Sequence, residues 1–175
     1  MTQLVRTLRK ERGGLTLEML AVDTGLTKSY LSKIERGQSN PSIAAAMKVA
    51  KALGVDVGGQ LFADDASGTR MTVDRAGSRA ATERYQAIAP AMLGKRMSPF
   101  LVRPGTEFAA DPHPAHEGQE LVFVISGSIE LDHAGNLVSL DTGGDCAYFD
   151  ASMGHKIRST AGDDSQVLVV AFNET

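Results

Sequence analysis

The sequence predicts two domains of different class: an all-α domain of five short helices over residues 1–62 and an all-β barrel or sandwich over 81–175, joined by a linker at 63–80. Apolar residues recur at helical i, i+3, i+4 spacing in the first part, and in short runs rich in Val, Ile and Phe, punctuated by glycine, in the second. Charge divides at the same place. Up to Phe62 there are nine Lys/Arg against five Asp/Glu, a net of +4; from Ala63 there are nine against sixteen, a net of −7, which together make the −3 of the whole chain. A basic piece joined to an acidic one predicts that only the first meets a polyanion.

The helices follow in order. Leu4, Val5 and Leu8 mark the first, before the break at Gly13-Gly14. Leu17, Leu20 and Ala21 mark the second, Leu31 and Ile34 the third, and Ile43, Met47, Ala50 and Leu53 the fourth. A fifth is expected near 56–62. Thr16, Thr27 and Ser42 are N-cap candidates, because a hydroxyl there accepts an otherwise unpaired backbone N–H. Glycines 13, 25, 37 and 54 supply the left-handed residue on which many helices end.

The stretch "LFADDASGTRMTVDRAGS" reads as linker, with residues 71–74 as an early strand. Strands are then expected at 84–89, 95–103, 120–126, 128–133, 137–140, 146–149, 155–159 and 166–172, with "ISGSI" and "DHAGNL" as hairpin turns. Strands with no helix between them predict a barrel or sandwich.

Bulk composition excludes some classes. No apolar run approaches the ~20 residues that cross a bilayer, and the charged N-terminus lacks the apolar core of a signal peptide. A single cysteine, Cys146, forms no internal disulfide. The expected location is the cytoplasm, with no membrane partner.

Within "LTLEMLAVDTGLTKSYLSKIERGQSNPSIAAAMKVAKALG" a helix, a glycine turn, a second helix and a packing helix follow one another. Leu26, Leu31 and Ile34 seal the underside. The helix opening at Thr27 would lie in a DNA major groove, with Lys28, Ser29 and Lys33 on its reading face and Tyr30 and Ser32 on the margins. In residues and layout, "LTKSYLSKIERGQSNPS" resembles the helix-turn-helix of the phage-repressor-like (XRE) regulators, whose fold is λ-repressor-like. That resemblance implies that Thr16, Arg36 and Asn40 meet the phosphate backbone, which sets register without reading sequence. It also exposes a departure: Leu17 stands where the family often has Gln. Glu35 is expected to pair with Arg6 or Arg9 rather than to touch DNA.

"HEGQELVFVISG" and "GDCAYFDASMGHKIRS" resemble the two motifs of the cupin family, small β-barrels that hold metals or small ligands. His116 stands four residues before Glu120, and Glu120 seven before Gly127; Gly144 and His155 fall at family positions in the second motif. The family's His-x-His pair falls here on Pro114 and His116, and its late Asn on Ser159. By strand parity His113 points away from His116 and Glu120. The remaining set is His116, Glu120 and His155, with Val122 expected on the same pocket face. Two imidazoles and a carboxylate suit a divalent ion (Zn, Fe, Mn or Ni); the alternative is a polar pocket that hydrogen-bonds an organic ligand. Leu121, Phe123 and Ile125 then point outward and should pack on a second sheet or a partner subunit. Cys146 is expected to be a small buried apolar residue, and His133 to lie at the surface.

A reader joined to one small cupin resembles a group of bacterial regulators in which the cupin is thought to sense a metabolite. The expectation is a non-enzymatic, ligand-responsive transcription factor, a repressor, acting as a homodimer on a double-stranded DNA operator and answering a small-molecule effector. The rival is a metal-dependent cupin enzyme, a dioxygenase or isomerase, tethered to DNA by its N-terminal domain. A third reading is a protein-binding adaptor with a silent DNA domain.

Overall fold

The computed structural model describes residues 9, 14–39, 41–54, 71–75, 84–90, 92, 95–109 and 115–172. The chain divides into two compact units, Met1–Thr69 with Pro90–Gly94, and Arg70–Ala89 with Lys95–Thr175.

The first unit contains α1 (Leu17–Thr24), α2 (Lys28–Glu35) and α3 (Ile43–Leu53). Each begins where the sequence places a hydroxyl. Thr16, Thr27 and Ser42 accept from the backbone N–H of Met19, Tyr30 and Ala45, each at 3.2 Å. A cap of this kind contributes about 1 kcal/mol. Gly25 and Gly54, at φ +66° and +60°, end α1 and α3 in the left-handed conformation that a side chain would strain. Only residues 25–27 separate α1 from α2, so the chain turns sharply. Leu20, Leu31 and Ile34 are fully buried together with Ala44, Ala45, Ala46, Met47, Val49, Ala50 and Leu53 of α3, whose alanines leave room for close helix packing. Of the predicted first helix only Arg9 is described, and it is helical. The predicted helix at 56–62 lies outside the described residues, as do 63–70 and 76–80 of the predicted linker.

The second unit carries eight strands among its described residues: β1 (Tyr85–Ala87), β2 (Met97–Val102), β3 (Gln119–Ser126), β4 (Ser128–His133), β5 (Asn136–Asp141), β6 (Cys146–Asp150), β7 (His155–Ser159) and β8 (Gln166–Phe172). All eight predicted positions hold, shifted by at most two residues at an end. The early strand expected at 71–74 is absent. Met71 and Val73 stay exposed, and Asp74 accepts the backbone N–H of Ala89 at 3.1 Å, so a side chain takes the bond that a ladder would use.

The strands form two antiparallel sheets, β1-β2-β8-β3-β6 and β5-β4-β7. Phe100, Val102, Val122, Val124, Val167, Val169 and Ala171 from the larger, and Ile129, Leu131 and Leu140 from the smaller, are all buried and supply the core. The chain passes between sheets at Gly127. Its φ is +70°, and a Cβ there would stand 2.5 Å from Ser165 Oγ and 2.8 Å from Ser165 Cα, so only glycine fits. Ser165 is held close because its hydroxyl donates to Ser128 O at 2.8 Å and accepts Ser128 N–H at 3.2 Å. No helix among the described residues is long and apolar enough to cross a membrane.

Candidate functional site

Two clusters of polar residues stand out, one in each unit. In the first, the burial of Leu31 and Ile34 fixes which side of α2 faces solvent. Thr16, Thr27, Lys28, Ser29, Lys33 and Arg36 are exposed and Ser32 is half-buried, while Asn40 lies outside the described residues. Thr16 and Thr27 cap their helices with oxygen lone pairs, and the Thr16 hydroxyl also donates to the Glu18 carboxylate. Arg36 gives its Nε–H to Gln38 Oε1 at 3.0 Å and keeps the rest of its guanidinium fork. Lys33 has no acidic partner among the described residues. Lys28 does have one: its ammonium pairs with Glu18 of α1, and both side chains are about 60% exposed. The sequence reading missed Glu18, because nothing in a ten-residue separation reveals that two helix N-termini converge.

Glu35 takes the structural role expected of it, and the partner is Arg9. Arg9 Nε donates to Oε1 at 2.8 Å and Nη2 to Oε2 at 3.3 Å, in a largely buried pair. Arg9 also donates to Leu15 O, which ties the preceding helical residue to the start of α1.

In the second unit, His116, Glu120 and His155 are buried, and each offers one ligand atom within 4.8 Å of the others. Two backbone bonds tie the His116 loop to the end of β6: His116 N–H to Ala151 O and Ala151 N–H to Gly118 O, both 3.0 Å. Glu120 follows on β3, pointing inward by strand parity with Val122 and Val124. His155 opens β7. Glu120 Oε2 lies 3.1 Å from His116 Nε2 and 3.5 Å from His155 Nε2.

The tautomers follow from the other ring nitrogens. His116 Nδ1 lies 3.1 Å from Glu117 O, and His155 Nδ1 lies 2.9 Å from Met153 O. A carbonyl oxygen only accepts, so each Nδ1 carries a proton. A neutral ring would therefore aim its Nε2 lone pair at the carboxylate oxygen. Three electron-rich atoms converging in a buried space need positive charge among them, from imidazolium protons or from a cation. Without a cation, burial pushes Glu120 up, but hydrogen bonds from both imidazoles outweigh it and hold the carboxyl at about 2. Burial pulls His155 down, and its hydrogen bond and charge contact with Glu120 raise it overall. A divalent ion satisfies the same requirement. Carbonyl-anchored Nδ1 atoms are also how proteins orient ligating histidines. The donor set fits a metal.

Other residues depart from expectation. Val122 shares the inward face but is packed in the core, 1% exposed, against Val169 and Ala147 on the neighbouring strands. His113 and Pro114 lie outside the described residues. Ser159 does not point at the triad: its hydroxyl bonds Ser165 Oγ at 2.7 Å and accepts Ala161 N–H at 3.2 Å, so it belongs to the turn network behind Gly127. His133 is half-buried, bonded to Asp150 O at 3.0 Å. Phe149 lies between it and His155, with ring centroids 5.1 Å from each. Sequence pairing could have found Phe149, which stands opposite Glu120 in the β3–β6 register. Cys146 is exposed, not buried. It stands opposite Phe123 on the outer face of the larger sheet, which the described residues leave uncovered. On that face Phe123, Ile125 and Tyr148 are 38%, 44% and 65% exposed, so no second sheet among the described residues covers them. The outer face of the smaller sheet is different, with its charges consumed in Arg158–Glu130 and Lys156–Asp132 pairs.

Fold and clusters together define a helix-turn-helix module followed by a cupin barrel with a polar end. Residues 5–59 match the helix-turn-helix family model and residues 100–171 the cupin domain model. An uncharacterized HTH-type transcriptional regulator of Methanothermobacter thermautotrophicus is 37% identical over 70 residues, 40% of this chain and all of that protein. The chain belongs to the helix-turn-helix (XRE-type) transcriptional regulators and carries a cupin domain behind the helices. The HTH-type transcriptional regulator SlrR of Bacillus subtilis is 46% identical over 56 residues, 31% of this chain and 36% of its own length. The immunity repressor protein of Bacillus phage phi105 is 46% identical over 55 residues, 31% of this chain and 38% of its own. The chain thus spans little more than a third of the length of these two relatives. An HTH_3 family transcriptional regulator from Vibrio cholerae superposes with a TM-score of 0.67 over 99% of this chain and 95% of that one, at 20% identity, a likeness of fold.

Proposed function

We propose that this chain is a cytoplasmic, ligand-responsive repressor that binds a specific DNA operator as a homodimer, with 1–62 as reader, 63–80 as coupling linker and 81–175 as sensor. The observation that carries the reading is the seated α2 helix, with Leu31 and Ile34 buried and Lys28, Ser29 and Lys33 in solvent. Lys28, Ser29 and Lys33 face the base edges, with Thr27 and Ser32 beside them, and Thr16, Arg36 and Asn40 fix the register on the phosphates.

His116, Glu120 and His155 hold a divalent ion in this reading. Held by those three residues, a divalent ion would supply Lewis acidity toward oxygen donors of a small effector. Glu120 supplies the anion, and the two Nδ1 anchors keep the imidazoles aimed inward. Effector binding favours one arrangement of the paired sensors and so one spacing of the two reading helices. The apolar outer face of the larger sheet, around Phe123 and Ile125, is the surface on which the copies pair; sedimentation as monomer at DNA-binding concentrations would remove this part.

The test of the whole is binding of the intact chain to the duplex it selects from a randomised pool, before and after dialysis against a chelator. A coupled sensor changes the affinity by about fivefold or more. Identical affinity with and without metal argues against the triad as a metal-dependent sensor, and failure to select any duplex sinks the reading. Metal-dependent turnover of a small substrate with unchanged DNA affinity would instead favour the tethered enzyme.

A further inference from the structure

The Glu18–Lys28 pair is out of place on a surface built to meet phosphates. Lys28 is the first residue of α2, where the helix N-terminus is itself partly positive and an ammonium is disfavoured. Glu18, in the first turn of α1, offsets that by reaching across to it. The Lys28 hydrogen bond keeps the Glu18 carboxyl below its ordinary range, so it stays anionic. Both side chains remain in solvent, as do those of Thr16, Thr27 and Ser29. Among the described residues no other carboxylate touches the reading set, since Glu35 is turned inward onto Arg9.

A carboxylate in that position has two consequences for a bound duplex. It repels every phosphate it approaches, whatever the sequence. It also accepts only, so on a base edge it is satisfied by an amino group, cytosine N4 or adenine N6. Lys28 supplies the opposite half, a donor for guanine O6 and N7. The two together offer a donor beside an acceptor, which complements the major-groove edge of one G·C pair.

We propose that Glu18 is a specificity-determining residue of DNA recognition, lowering affinity for DNA at large and restoring it at a half-site whose G·C pair takes the Lys28 donor and the Glu18 acceptor together. This rests on the reading of α2 as the DNA-contacting helix, and the test separates the two. Wild type, Glu18→Gln and Lys33→Ala are compared on the duplex that wild type selects and on a scrambled duplex of equal composition.

Glu18→Gln keeps the size and removes the charge. It is expected to tighten scrambled DNA by about tenfold and to leave the selected duplex within about threefold, collapsing the specificity ratio by about that factor. Re-selection with Glu18→Gln should lose the G·C preference at one position of each half-site. Equal affinities for both duplexes in wild type and Glu18→Gln, with Lys33→Ala weakening both, would leave the DNA reading standing and reduce Glu18 to an ordinary surface pair. Weakening of both duplexes alike by Glu18→Gln would make it a structural support and overturn the proposal too. If Lys33→Ala also changes nothing, the DNA reading falls and takes this inference with it.

Discussion

Replacing Lys28 and Lys33 together by alanine is expected to weaken binding to the selected duplex by at least about a hundredfold, since on the proposed function each lysine would carry on the order of 1–3 kcal/mol of base discrimination and neutralise phosphate as well. Fluorescence anisotropy with a labelled duplex reads the loss directly. The thermal unfolding midpoint should barely move, because both side chains are exposed and surface substitutions cost within about 0.5 kcal/mol. The single variants should differ. Lys33→Ala removes a cation with no acidic partner among the described residues. Lys28→Ala also strands the Glu18 carboxylate against the duplex, so its loss should be the larger of the two. Unchanged affinity in the double variant would mean that DNA, if bound at all, is bound elsewhere.

The second large effect lies in the barrel. Glu120→Gln keeps the shape of the side chain while removing the anion on which both imidazoles converge. Metal affinity, measured by metal content after dialysis and by titration calorimetry, is expected to fall by about a hundredfold or more, since a ligand is lost as well as its charge. The fold should survive, because the Gln amide donates to the Nε2 lone pairs of neutral histidines.

The metal-free wild type should also show a pH signature that the variant lacks. Glu120 is held at about 2, below its ordinary 4.5, so its contribution to stability is present above pH 4.5 and is lost as pH falls toward 2. His155 is raised, so its contribution is full below its ordinary 6.5 and is lost as pH rises through the raised value. The triad therefore stabilises the metal-free barrel most between those two ordinary values. Thermal melts across pH check this. Equal pH profiles for wild type and Glu120→Gln would contradict the charge arrangement described here.

What the sequence disclosed depended on the range of the interaction. Helix caps at Thr16, Thr27 and Ser42 are local chemistry, settled within three residues, and all three stood where the spacing put them. Strands were legible for the same reason, through apolar alternation and glycine. The triad could be assembled from motif positions because His116 and Glu120 are near neighbours and His155 opens a strand of its own. Residues whose surroundings come from elsewhere in the fold were harder. Cys146 has the composition of a core residue, but its parity sets it on the outer face opposite Phe123, which a strand reading without a partner register could not tell. Ser159 stood at a motif position, yet it is occupied by Ser165, which only the approach of the chain at Gly127 brings near. Glu18 was invisible because its partner lies across an interhelical turn.

On the proposed function α2 presents its cations to a polyanion, and ionic strength reads that contact. The affinity of the intact chain for its selected duplex should fall along a straight line in log salt, with a slope of about −0.9 per phosphate neutralised, so that four contacts cost on the order of a hundredfold between roughly 50 and 200 mM. The Lys28→Ala/Lys33→Ala variant should give a visibly shallower line. A flat response in wild type would contradict the account.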